Sequence, residues 1–131
     1  MKIVLLGMFS FLLVSCSGWK HTSTFAYEEF SAKDYEQKLK ENKDYIIVDV
    51  RTPGEYRKGH MANAINISYF GSGFSKEAGK LPKDKLIFMY CQTQHRSPLA
   101  SRVMKKEGFT HIIDLKGGFM KWEHQNMPMV N

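Results

Sequence analysis

The chain has 131 residues, an apolar content of 43% and a formal net charge of +6. That length suffices for one compact domain and not for two. No nucleic-acid partner is expected, because the lysines are interleaved with acids and neither a basic stripe nor a recognised binding module appears. The surplus charge fits small anions or an anionic lipid surface, and fits a plainly solvated surface better still.

The first 16 residues read as an address label. Lys2 gives a positive start, and Ile3 to Val14 is an apolar run interrupted only by Gly7 and Ser10. The run is shorter than the ~20 residues of a membrane span and suits the apolar core of a secretory signal. Leu13–Val14–Ser15–Cys16 resembles the lipobox of bacterial lipoproteins, which implies acylation at Cys16. The expectation is an exported protein of the bacterial cell envelope, lipid-anchored and facing the periplasm. An ordinary cleaved signal, or an uncleaved anchor, is the plainer alternative. With Cys16 lipidated, Cys91 is left as a single thiol in an oxidising compartment, where it must be buried or used. Residues 17–26 read as a tether, 27–127 as the domain and 128–131 as a tail.

Within the domain, Thr24–Phe25–Ala26 fits a short edge strand. Ser31 as N-cap, Asp34 three residues on, and Phe30 with Tyr35 as a hydrophobic staple mark a helix start. Tyr45 to Val50 is nearly all apolar, as in a strand covered on both faces. Thr52–Pro53–Gly54–Glu55 is a capping box opening a short helix that stops at Gly59. Asp49, Arg51 and Glu55 read as a polar network tying strand ends together, and His60 as a structural histidine. Ala64 to Ile67 fits a third strand. Tyr69 to Asp84 is glycine-rich, with one turn of helix over Phe74 to Ala78. The methionines read as core filler.

Leu86 to Tyr90 is a buried strand that ends abruptly at Cys91. Ser97 is placed to cap a following helix over Leu99 to Glu107, with Pro98 in its first turn and Gly108 at its stop. Cys91 therefore stands at the carboxyl end of a strand facing a helix amino terminus, where ligands bind in open α/β sheets. Loop N–H groups, the helix dipole and Arg96 all favour a thiolate there, and equally favour a docked anion. The bland reading is a buried, inert cysteine. His111 to Leu115 closes the set of strands, Gly117–Gly118 breaks it, and Phe119 to His124 forms a last helix.

Alternating strands and helices of these lengths give an α/β fold with a parallel sheet. Asp49–Val50–Arg51, Glu55–Tyr56, Gly59–His60 and Ala64 to Ile67 resemble the first signature of rhodanese-like domains. Tyr90–Cys91 through Arg96–Ser97 resembles that family's active-site loop, and Gly108–Phe109, Leu115, Gly117–Gly118 and Trp122 its closing segment. The resemblance runs from about Phe30 to Trp122. It implies a five-stranded parallel sheet flanked by helices on both faces, and a sulfurtransferase with Cys91 as catalytic nucleophile. Gln92, Thr93, Gln94, His95, Arg96 and Ser97 would then form the substrate cradle. A small sulfur-containing anion would be donor and a thiol or cyanide acceptor, in a monomer with no metal and no organic cofactor. By the same analogy, six residues from Cys91 to Arg96 inclusive match sulfurtransferases. The related phosphatases and arsenate reductases carry one residue more. Gln94 stands where the family often has glycine, at a cost of about 1 kcal/mol if its φ is positive. It is the best support for the rival reading, a catalytically weak anion- or protein-binding module. A redox-sensing thiol is a further rival.

Overall fold

The computed structural model describes residues 24–131. The leader, the lipobox with Cys16, and the tether up to residue 23 lie outside the described residues.

Five strands form one parallel sheet: β1 (Ala26–Phe30), β2 (Tyr45–Asp49), β3 (Ile65–Asn66), β4 (Leu86–Tyr90) and β5 (His111–Leu115), in the order β1-β5-β4-β2-β3. Five helices alternate with them: α1 (Ala32–Glu41), α2 (Pro53–Arg57), α3 (Phe74–Gly79), α4 (Ser97–Lys106) and α5 (Gly118–His124). The expected five-stranded, parallel, α/β architecture is what the chain adopts.

The period-two alternation of strand side chains sorts the core into two layers. Val48, Ile87, Met89 and Ile112 pack with Phe74 and Ala78 of α3 and Ala100 and Met104 of α4. Ile47, Phe88, Tyr90, Ile113 and Leu115 pack with Ala32 and Tyr35 of α1 and Phe119 and Trp122 of α5. Full burial of each large side chain contributes roughly 1.5–3 kcal/mol, so both faces must be covered for a chain this short.

Two local expectations shift. The first strand begins at Ala26 rather than Thr24, because its N–H reaches the Thr110 carbonyl at 2.8 Å and sets the register along β5. The closing residues, read as a tail, double back: Val130 bridges His60 in antiparallel fashion, and the Trp122 indole donates to the Pro128 carbonyl at 2.8 Å.

The sheet order places the site. The chain steps outward from β2 to β3, then returns past β2 to β4 and moves the other way to β5. The carboxyl ends of β2 and β4 therefore flank the reversal point where α/β sheets open a crevice. One of those ends carries Asp49 and Arg51, the other Cys91.

Candidate active site

Cys91 is fully buried directly after β4, with its Sγ 3.5 Å from Oγ of Ser97, the first residue of α4. Gln92 to Arg96 arch over it. Among the described residues, no backbone N–H from Gln92 to Arg96 donates a hydrogen bond within the chain. Unspent N–H groups at the head of a ten-residue helix make a site for negative charge.

The loop keeps its shape because its first two carbonyls are held from outside. Phe119 and Met120, at the start of α5, donate to the carbonyls of Cys91 (2.7 Å) and Gln92 (3.0 Å). Gly118 makes this approach possible. Its φ is +69°, and a Cβ there would lie 2.5 Å from the Gln92 carbonyl oxygen.

Arg96 pairs with Glu55 on α2, at 2.8 Å and 2.7 Å from its two terminal nitrogens. Glu55 also closes the α2 capping box, accepting from the Thr52 N–H and hydroxyl at 2.8 Å each. The Arg96 guanidinium, ahead of the Thr52 donors, holds the Glu55 carboxyl down at about 2 against an ordinary 4.5. A lowered carboxyl contributes stability above its unfolded value, and that contribution fades as pH falls towards the folded one. Glu55→Gln is therefore expected to weaken the parent's acid sensitivity between about pH 4.5 and about 2. Urea midpoints of both chains at neutral and acid pH would show it. Equal losses in the two chains would remove Glu55 as the sensitive group.

The structure brings together all the residues expected in the cradle, but not in the roles expected for all of them. Gln92 accepts from Arg51 at 3.1 Å through its side-chain oxygen. Thr93 and His95 hydrogen-bond each other at 2.9 Å on the exposed rim. Gln94 has φ +67°, the left-handed conformation its position implies, and its side-chain oxygen takes the Gly117 N–H at 2.7 Å. That bond directs the side chain to the α5 terminus rather than across Cys91. Ser97 is not the helix cap: Arg96 occupies that position without a side-chain cap bond, and Ser97 is the first helical residue. The reason is orientation, since the Ser97 hydroxyl is turned into the core, where it donates to buried Asp114 at 2.7 Å.

Of the three residues read as a strand-end network, two fit. Asp49 and Arg51 form a buried pair at 2.7 Å. Glu55 instead serves the Cys91 loop through Arg96. Asp114 and Tyr27 were not expected at the site; a single acid inside the apolar run His111 to Leu115 was the signal that could have found the first.

A family profile described as the rhodanese-like domain matches residues 31–125. The chain belongs to the rhodanese-like domain family. It is 40% identical over 76 residues to the uncharacterized protein YqhL of Bacillus subtilis, covering 58% of this chain and 59% of that one. It is 26% identical over 102 residues to a sulfurtransferase of Allochromatium vinosum, covering 78% and 94%. Among solved structures it resembles a rhodanese-related protein from Thermoplasma volcanium, with 31% identity and a TM-score of 0.69 over 79% of this chain and 98% of that one. The chain thus spans about three-fifths of its Bacillus relative and nearly all of the other two.

Proposed function

We propose that this protein is a sulfurtransferase that carries a sulfane sulfur on Cys91, and that Cys16 anchors it by lipid at the cell envelope. The observation that carries the reading is the Cys91 loop, with five successive N–H groups unspent at the head of α4. The sulfurtransferase name of the Allochromatium relative supports it. The leader composition supports the anchor.

The Cys91 thiolate attacks the outer sulfur of thiosulfate or a similar donor. A sulfur–sulfur bond forms to Cys91, the donor's own sulfur–sulfur bond breaks, and sulfite leaves with the electron pair. The charge moves from the thiolate to the terminal persulfide sulfur. The N–H groups of the loop offset that charge, as donors in an oxyanion hole do. A thiol or cyanide then removes the outer sulfur and restores the thiolate. Arg96, fixed by Glu55, braces the loop in this scheme.

One observation favours the second reading, a binding module: Cys91 is 0% exposed. Intact mass before and after thiosulfate decides between them. The expected result is a gain of one sulfur atom, reversed by cyanide and abolished in Cys91→Ala while that chain stays folded. No gain in a folded parent would leave the binding module as the better account.

A further inference from the structure

Asp114 is a buried acid to which no basic group answers. It lies in β5 at 0% exposure and, unlike Asp49, has no ion-pair partner among the described residues. Its Oδ2 accepts from the Tyr27 hydroxyl at 2.5 Å and from the Ser97 hydroxyl at 2.7 Å. Its Oδ1 has no hydrogen-bond partner. The ionisable groups facing it are Tyr27 and Glu29 from β1, Tyr35 from α1 and Cys91 by way of Ser97. None is a cation. Burial, which outweighs the two hydroxyl donors, pushes the carboxyl up to about 6.

Ser97 stands between this carboxyl and the sulfur. A hydroxyl has one proton and can accept through its lone pairs. While that proton points at ionised Asp114, Ser97 Oγ can only accept from the Cys91 thiol. With Asp114 protonated the order reverses: the acid donates to Ser97, and Ser97 donates to a Cys91 thiolate. Both arrangements hold the same number of protons and the same net charge.

We propose that Asp114 is a positioning residue for Cys91, the two groups sharing one proton through the Ser97 hydroxyl. In the transfer the Cys91 S–H bond breaks as a Ser97 O–H bond forms. The former Ser97 O–H bond breaks as an Asp114 O–H bond forms, and nothing is oxidised. The thiolate then arises beside a neutral carboxyl, so the core does not hold two adjacent anions until the shared proton itself is lost. The proposal rests on Cys91 being the nucleophile only for its catalytic meaning, because the proton itself can be read directly.

The test is the ultraviolet absorbance of the thiolate, taken as the difference between the full chain and its Cys91→Ala variant from about pH 4 to about pH 10. Two groups sharing a proton titrate in macroscopic steps that belong to the pair. The parent is expected to gain thiolate in two steps, the lower accompanying loss of a proton from the pair as the Asp114 carboxyl, raised by burial, titrates. Ser97→Ala and Asp114→Asn, each checked for folding by circular dichroism, are expected to show a single step. Tyr27→Phe removes one donor from the carboxylate and is expected to move the lower step upward. A single step in the parent, or two steps surviving in folded Ser97→Ala, would overturn the proposal. If Asp114→Asn fails to fold, Ser97→Ala decides alone, since it adds no charge to the core. Sulfur gain from thiosulfate with a one-step titration would sink only the shared proton. Two steps without sulfur gain would sink only the transferase.

Discussion

Arg51→Ala is expected to cost about 3–5 kcal/mol, the range seen when one partner of a buried ion pair is removed. Arg51 is 2% exposed and Asp49 0% exposed. The guanidinium donates to Asp49 through Nε, at 3.1 Å and 3.0 Å to its two oxygens, and through Nη2 at 2.7 Å. The same Nη2 reaches the buried Gly59 carbonyl at 2.6 Å, and the group lies 3.9 Å from the Phe119 ring centre. Truncation to Ala leaves Asp49 with a charge that the core cannot solvate, a carbonyl without a donor, and a void against Phe119. A domain of this size has roughly 5–15 kcal/mol in all, so the variant should be close to unfolding at physiological temperature. Replacing both Asp49 and Arg51 by apolar residues of similar volume should cost less than the single change, because no charge is left behind. Urea unfolding of the two variants measures both claims. A single-variant loss under about 1 kcal/mol would mean that the pair is not buried as described.

How much of this was legible beforehand follows the range of the interactions. The Thr52 capping box, the Ser31 start and the Gly108 stop are contacts within a few residues, and they stand where their residues imply. The fold followed from three separated motifs in one order. Ser97 shows the limit: its local propensity favoured a cap, but the hydrogen bond to Asp114, seventeen residues away, turns its hydroxyl into the core. Glu55 shows another limit. A carboxylate has about four acceptor positions, so filling a capping box left room for Arg96, forty-one residues on. The positive φ of Gln94 was legible from the family resemblance, which implies a position that often holds glycine; the destination of its amide, the Gly117 N–H, was not. Each miss is a side chain whose partner comes from another strand or helix, which periodicity cannot specify.

Gly118 ties the stability of the sheet's end to the shape of the loop, and Gly118→Ala is expected to lose both. The left-handed backbone at φ +69° costs a non-glycine residue about 1–2 kcal/mol by itself. The added Cβ would also fall 2.5 Å from the Gln92 carbonyl oxygen and 2.7 Å from that of Cys91. Both are backbone atoms, and both accept the N–H bonds from α5 that hold the loop. Relief therefore requires the loop to move away from α5, giving up those bonds, so the total loss should reach about 3 kcal/mol or more. Gly54→Ala is the matched control. Its Cβ meets nothing nearer than Thr52 Oγ1 at 4.0 Å, and α2 tolerates alanine, so its thermal midpoint should hold or rise slightly. Below its lowered midpoint, Gly118→Ala should also take up less sulfur from thiosulfate than the control, because the displaced carbonyls carry the cradle's N–H groups with them. An unchanged midpoint for Gly118→Ala would show that the loop does not lean on α5. A lowered midpoint with parental sulfur gain would show that it does, but that the cradle is indifferent to it.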